Sequence, residues 1–408
     1  MPKYNLSAET QNILQARYVY HNRRGSILKK FLSFLLILAV LFPTTALADD
    51  ASLGGTGETV YPVKNTDVVM QKEVIDIRVK DGKSYVTCRF YFKNSGKTAQ
   101  LLMGFPSFQE SRKGPYGDKY TKEDMKYIGD LRLYRFRTYI DGRRIPVQTK
   151  KGMKKTAYNK GEGYYPVWYA WNLRFKKGQT RKVTNTYWCY NTYAAENNSE
   201  EADYILKTGA YWKGNIGSVL VRMHLPEINP LLLYSVDGLM PDYYTADGTL
   251  VWNKKDLEPD RDIAMSFGQV SLYNWINLDK AGNLDEDYLE NLKSYDSLVR
   301  LENHFSQKHY RSTIWWGERI RRIFKKEKQP GILNYYMGVA YYNRHLYAKA
   351  LKELGKCGAA GLYHKALCLQ KLRKTKDYKA CLKEIIGLEK DYPGLALWGR
   401  SRLEDMKA

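Results

Sequence analysis

Cysteine is scarce in this chain and poorly placed for cross-linking. There are five in 408 residues, none in a C-x-x-C pair. A disulfide framework uses closely spaced, even-numbered cysteines, so a disulfide-built scaffold is excluded. Buried thiols acting as small apolar side chains are the preferred reading. A Cys88–Cys189 bridge is the alternative, since both lie in strand-like runs. Histidine is no richer in pattern. Four of the six (His304, His309, His345, His364) fall in one C-terminal stretch, and His304 and His309 are five apart, off the i, i+4 spacing of a helical metal pair. H-E-x-x-H, G-x-S-x-G and G-x-x-x-x-G-K-[ST] are all absent. No catalytic, cofactor-binding or metal-ligating residue is therefore assigned, and no cofactor is expected. Long apolar runs are also missing, with one exception.

The exception is Phe31 to Phe42, twelve residues preceded by Arg23, Arg24, Lys29 and Lys30. It is short of the roughly 20 apolar residues that span a bilayer. Pro43 follows, then Ala46-Leu47-Ala48, an A-x-A cleavage site in front of Asp49. Residues 1–48 are thus expected to be a signal peptide, with Ala46 and Ala48 marking the cut and 49–66 a linker. The alternative is an uncleaved N-terminal anchor. No cysteine follows the run, which excludes lipid attachment there, and the rest of the chain is expected to be soluble.

Beyond residue 48 the chain holds 60 basic and 42 acidic residues. Much of the excess lies between Arg112 and Lys182, with 20 basic and 6 acidic residues and nine tyrosines. A concentrated field of that sign attracts anionic polymers or membrane surfaces; a solvated basic face is the plainer account. The candidate polymer contacts are Arg132, Arg135, Arg137, Arg143, Arg144, Lys150, Lys151, Lys154 and Lys155.

From about 67 to 278 the pattern is β. Ile75, Ile77 and Val79 alternate with Asp76 and Arg78, and Asp81-Gly82 signals a hairpin. Val86, Cys88, Phe90 and Phe92 then share one face, and Tyr85, Thr87, Arg89 and Tyr91 the other, the two-residue period of a half-buried strand. Further strands are expected at Leu131–Ile140, Val167–Phe175, Val183–Cys189, Val219–Leu225, Leu231–Val236, Leu250–Asn253 and Ile263–Val270. His224 should face the polar side. Short, regularly spaced strands predict an antiparallel sandwich-like region, one sandwich or two, with a basic insertion at about 112–165. Most aromatics are read as packing; Trp168, Tyr187, Trp188, Tyr190, Tyr211 and Trp212, in or beside strands, are the ones that could stack on sugars or bases. Glu196 to Asp203 is read as a solvated acidic loop, because its spacing fits no calcium loop.

From about 283 to 408 the period becomes helical. Tyr310-Arg-Ser-Thr313, Tyr347-Ala-Lys-Ala350 and Tyr378-Lys-Ala-Cys381 recur 37 and 31 residues apart. Gly338, Tyr341, Tyr347, Ala350 and Leu354, with Tyr378, Cys381 and Pro393 in the last unit, resemble the tetratricopeptide family. Asn334 replaces that family's tryptophan. The resemblance implies packed helical hairpins with a concave side that docks a protein partner. Met103-Gly104-Phe105-Pro106 and the stretch Tyr204 to Gly217 resemble exported bacterial β-domains of unknown function, which implies export and a sheet-built body but no activity.

Mainly β plus α, non-enzymatic and exported is the resulting expectation. The helical repeats dock a protein partner, and the basic β region contacts an anionic envelope polymer or membrane face. Nucleic acid ranks last as a partner, because no nucleic-acid module is recognised. The rival is a carbohydrate-active enzyme with an unrecognised acidic site in the β region, which requires two facing carboxylates in a cleft.

Overall fold

The computed structural model describes residues 51–54, 59–63, 65, 67–107, 133–152, 165, 167–194, 199–225, 228–236, 238–272, 274–275, 295–323 and 330–407. The expected leader with Ala46 and Ala48 lies outside the described residues, as do most of the basic insertion and Arg132, Lys154 and Lys155.

The strands in chain order are β1 (Ala51–Gly54), β2 (Thr59–Pro62), β3 (Val68–Lys80), β4 (Lys83–Asn94), β5 (Ala99–Ser107), β6 (Tyr134–Ile140), β7 (Arg143–Ile145), β8 (Gln148–Gly152) and β9 (Val167–Phe175). They continue as β10 (Thr180–Tyr190), β11 (Thr192–Ala194), β12 (Ser199–Tyr204), β13 (Ile216–His224), β14 (Tyr234–Ser235), β15 (Tyr243–Tyr244), β16 (Thr249–Leu257) and β17 (Ile263–Gly268). Eight form one sheet in the order β15-β16-β13-β3-β4-β10-β6-β7. The set β1-β2-β8-β9-β5 closes on itself, and β11-β12-β17-β14 makes a third sheet.

Local chemistry explains the hairpins. Asp81 and Gly82 have φ of 52° and 68°, and Asp141 and Gly142 have 49° and 86°. Both residues of each turn take positive φ, the twist that matches the flanking strands. Behind β4 the alternation is as expected: Val86, Cys88, Phe90 and Phe92 are buried, together with Ile75 and Ile77 of β3. An aromatic layer joins this face to the closed set, with Phe105 and Phe136 ring centres 5.2 Å apart and Phe136 and Tyr169 4.4 Å. Within the closed set Leu53 sits over Gly104, where a Cβ would lie 2.1 Å from Leu53 Cδ1.

The structure departs from expectation at several points. The β region is not purely antiparallel, because β13 pairs with β3, and β8 with β2, in parallel. The stretch 231–236 is a 3-10 turn (Pro230–Leu232) followed by the two-residue β14, with Asn229 accepting from Leu231 N at its start. The acidic stretch read as a loop contains β12, hydrogen-bonded along its length to β17, with Asp203 buried and Glu200 and Glu201 half-exposed. All five cysteines are free and buried. Cys88 lies opposite Asn185, and Cys189 opposite Ser84, so the two thiols sit four residues apart along neighbouring strands and no bridge joins them.

Seven helices follow among the described residues: α1 (Tyr295–Ser306), α2 (Tyr310–Ile323), α3 (Gly331–Asn343), α4 (Tyr347–Leu354), α5 (Gly358–Lys371), α6 (Thr375–Ile386) and α7 (Pro393–Asp405). Consecutive helices pack on one another, as helices joined in antiparallel hairpins do. Lys308, His345 and Arg373 all take φ near 60° in the loops before α2, α4 and α6. Tyr310 and Tyr347 follow that residue by two positions and Tyr378 by five, so α6 begins one turn earlier relative to its motif. The small residues Thr313, Ala350 and Cys381 are all buried, and Gly338 packs on Leu354, where a Cβ would meet Cγ at 2.7 Å.

The helices and the β region form one compact unit. In α3 every residue from Ile332 to Tyr341 is buried, as a helix covered on all sides requires. One cover is the β region: Asn229 Nδ2 donates to Tyr335 Oη (3.1 Å), Leu272 N to Glu302 Oε1 (2.8 Å) and Tyr244 N to Ser401 Oγ (2.9 Å). The side of the array carrying these contacts is thus filled by the chain itself. On α2, by contrast, Trp315 is 54% exposed and Ile323 49%.

Candidate functional site

The large sheet buries one face and leaves the other open among the described residues. Registers set the open face in rows. One runs Thr249–His224–Arg78–Tyr85–Trp188–Tyr134 across β16, β13, β3, β4, β10 and β6. The next runs Val251–Arg222–Asp76–Thr87–Thr186–Arg137. Five strand intervals make each row about 24 Å long. None of these side chains is fully buried.

The charge on this face is one-sided. Asp76 is the one carboxylate on the outward positions of β3, β4, β6, β10, β13 and β16, among the described residues. Two arginines hold it: Arg89 Nη1 donates to Oδ2 at 2.5 Å and Arg222 Nε to Oδ1 at 2.6 Å. Partial burial pushes the Asp76 carboxyl up, but the hydrogen bonds and charges of Arg222 and Arg89 outweigh it and hold the group below its usual range. Arg78 is exposed and has no ion-pair partner among the described residues.

Aromatic rings continue the first row. Trp188 and Tyr134 stack with centres 4.1 Å apart and planes 8° from parallel. Tyr85 is 44% exposed, its ring centre 6.5 Å from that of Trp188. Lys83 Nζ stands 5.2 Å from the Trp188 ring and 5.3 Å from that of Tyr190, within cation–π range. The stack requires a bulge between Thr186 and Trp188, and Arg135 takes φ 54° opposite it.

Between the charged and aromatic ends lies an open groove of about 710 Å³, lined by Asp76, Arg78, Tyr85, Thr87, Arg222 and His224, among others. His224 Nδ1 is 3.2 Å from Thr249 Oγ1, and Asp247 closes one end. The Thr245 hydroxyl donates to Asp247 and holds its carboxyl below the usual range. Both groove carboxylates are therefore ionised at neutral pH, and neither is placed to donate a proton as a glycosidase acid does. A second cavity of about 310 Å³, lined in part by Asp81, Glu200, Ile228 and Phe267, lies at the end of β3. Among the described residues no cluster of three or more His, Cys, Asp or Glu side chains is arranged to hold a metal ion.

The structure divides the cations singled out in the sequence. Arg137 and Arg144 share the open face, Arg144 lying opposite Tyr139 on the edge strand. Arg143 lies opposite the inward-facing Ile140, and Arg135 occupies the bulge. Lys150 and Lys151 belong to β8 in the closed set, opposite Trp168 and Val167. The sequence reading missed Arg78, Lys83, Arg89 and Arg222 as members of the site. Their alternation with apolar residues was visible; that the three strands carrying them lay side by side was not. The aromatics divide as well: Trp168, Tyr187 and Trp212 are buried, whereas Trp188 and Tyr190 face outward.

No family model and no curated protein matches this chain. Among solved structures, a Legionella pneumophila protein named for nutrient binding is 19% identical, with 78% of this chain and 100% of that one covered, at a TM-score of 0.44. An M1 zinc metallopeptidase from Deinococcus radiodurans bound to a Tyr-Ser-Ala substrate is 10% identical over 51% of this chain, at a TM-score of 0.27. This chain spans 44% of that enzyme's length. None of these likenesses is close enough to carry an activity or a ligand over.

Proposed function

We propose that this protein is an exported binding protein of the cell envelope, holding an anionic polymer on the open face of its large sheet. The observation that carries the reading is the composition of that face: arginines and lysines outnumber carboxylates on it, the outward strand positions hold Asp76 alone, which two arginines already neutralise, and Asp247 stands at the groove's margin. A surface with such an excess of cations attracts polyanions. The leader sequence supports export. The ionised groove carboxylates count against the rival reading as a carbohydrate-active enzyme.

The helical region acts as a scaffold in this reading, built on tetratricopeptide-like packing. One side is filled by the chain's own 229–275 segment, so a protein partner would be met by α2, α4 and α6. Trp315 and Ile323 are the exposed apolar groups there.

The test replaces by glutamine Arg78, Lys83, Arg137 and Lys182, the last lying on β10 opposite the outward-facing Tyr91. Arg89 and Arg222 are left in place so that Asp76 keeps its partners. Retention on isolated envelope is then measured across a salt series. The expected result is weaker retention with a flatter salt response. Equal retention and an equal salt response in the variant would remove the polymer role. Retention that moves to anionic lipid vesicles, with none on the purified wall polymer, would reassign the ligand to the membrane.

A further inference from the structure

The row from His224 to Tyr134 has two chemically different halves that meet in the groove. We infer that it is a subsite for an acidic sugar, the ring stacking on Tyr85, which Trp188 flanks, and the acid group held by Arg78 and Arg222. This inference rests on the polymer-binding reading and narrows it.

Three features support a ring together with a charge rather than a charge alone. First, a surface that binds polyanions by field alone has no use for exposed aromatic planes; single exposed apolar groups are ordinary, but a row is not. Here Tyr85 is 44% exposed beside Trp188, which is itself braced against Tyr134 at 4.1 Å. Tyr85 is the ring of this row that lines the groove, and a neighbour as firmly held as Trp188 limits the side-chain freedom lost on binding. Second, the cationic half keeps unused donors. Arg78 has no ion-pair partner among the described residues, and Arg222 spends Nε on Asp76, which leaves its terminal Nη groups for a ligand oxygen. Arginine forks suit the two oxygens of a carboxylate or phosphate. Third, the register places Arg78 directly opposite Tyr85 on the adjacent strand. The Cα atoms of the two are then about 5 Å apart, so the ring and the guanidinium project from neighbouring positions, within the span of one acidic sugar residue. The groove volume of about 710 Å³ falls within the range of small-molecule sites. Threonine hydroxyls at 87, 186 and 249 line it and can meet sugar hydroxyls.

The charge has two possible sources, a carboxylate on the ring or a phosphodiester between rings, and the probes separate them. Full-length protein is titrated with polygalacturonate, a poly(glucosyl phosphate), dextran and inorganic polyphosphate. At least one of the first two is expected to bind tightest, and that one names the acid group. Dextran is expected to bind least. Tyr85→Ala and Trp188→Ala should each weaken binding of the acidic polysaccharide about tenfold and leave polyphosphate binding unchanged. Arg78→Gln should weaken both. A thermal melt of each variant controls for folding, and the polyphosphate arm reports whether the cationic half survives. The inference is overturned if polyphosphate binds as tightly as either acidic polysaccharide, or if both aromatic variants bind like the parent. Polymer binding as such would still stand on the salt-dependent loss in the glutamine variant. If none of the four probes binds and envelope retention is also absent, both readings fail.

Discussion

Gly394, in the first turn of α7, stands against the backbone carbonyl of Leu233, so close that a Cβ at 394 would lie 2.2 Å from that oxygen. The contact seats the last helix on the 3-10 turn of the β region. Backbone cannot give way as a side-chain tip can, so Gly394→Ala must move the helix. The expected cost is about 1–3 kcal/mol, read as a lower urea midpoint at unchanged slope. Lys407→Ala, on the exposed end of the chain, serves as the control and should leave the midpoint in place.

His364 supplies a pH dependence. Its ring lies among Tyr335, Tyr342 and Tyr363, with centres 6.0, 5.7 and 4.8 Å away. Burial lowers its pKa from 6.5 to about 4, so the folded protein keeps the ring neutral while the unfolded chain protonates it. This contribution is complete above pH 6.5 and erodes as the pH falls toward 4. His364→Gln should lose less stability than the parent between pH 7 and pH 4.5, by on the order of 2 kcal/mol. Parallel urea titrations at the two pH values check the difference, and equal losses would count against a neutral, half-buried ring.

Arg321 reaches from α2 to two partners, Asn334 Oδ1 at 3.1 Å and the carboxylate of Glu353 on α4. Glu353 is buried and is also approached by Lys356 at 3.3 Å. Removing Glu353 leaves Arg321 with the longer contact to Glu318 at 3.4 Å, and removing Arg321 leaves Glu353 with Lys356 alone. Glu353→Leu is expected to cost about 3 kcal/mol, and Arg321→Met combined with Glu353→Leu less than the sum of the single changes. A double-mutant cycle by chemical denaturation measures the coupling. Additive costs would mean that the pair does not act as a unit.

The five thiols should be inert in the native state. Burial raises Cys368 to about 12 and Cys381 to about 11. Cys189 is pushed up by burial and, secondarily, by the charge of Asp203. Thiolate is the reactive form, so labelling by a thiol reagent at pH 8 should follow global unfolding. Mild oxidants should leave the mass of the monomer unchanged. Rapid native labelling of any one thiol, or a Cys88–Cys189 crosslink, would contradict the buried registers described above.

Two-residue alternation around Phe90 was enough to assign β3 and β4 and their Asp81-Gly82 turn. It also separated Phe90 and Phe92, which are buried, from Arg89 and Tyr91, which are not. The change to helical period was equally legible, because Thr313, Ala350 and Cys381 must be small wherever two helices approach. Less legible were segments whose structure depends on a distant neighbour. β12 reads as an acidic loop until β17 pairs with it, and Leu231–Val236 reads as a strand until α5 and α7 pack against the Pro230–Leu232 turn.

The site divides in the same way. Alternation and local charge, which act between residues a few positions apart, determined that this chain would build half-polar strands, carry an excess of cations and end in paired helices. Tertiary structure alone decided that β13 enters beside β3, setting Arg222 against Asp76 and His224 against Arg78, although 146 residues separate the members of each pair. Such a neighbourhood comes from pairing free energy summed over whole strands. No local pattern records it, so the face that gathers the cations could be seen only once the sheet had assembled.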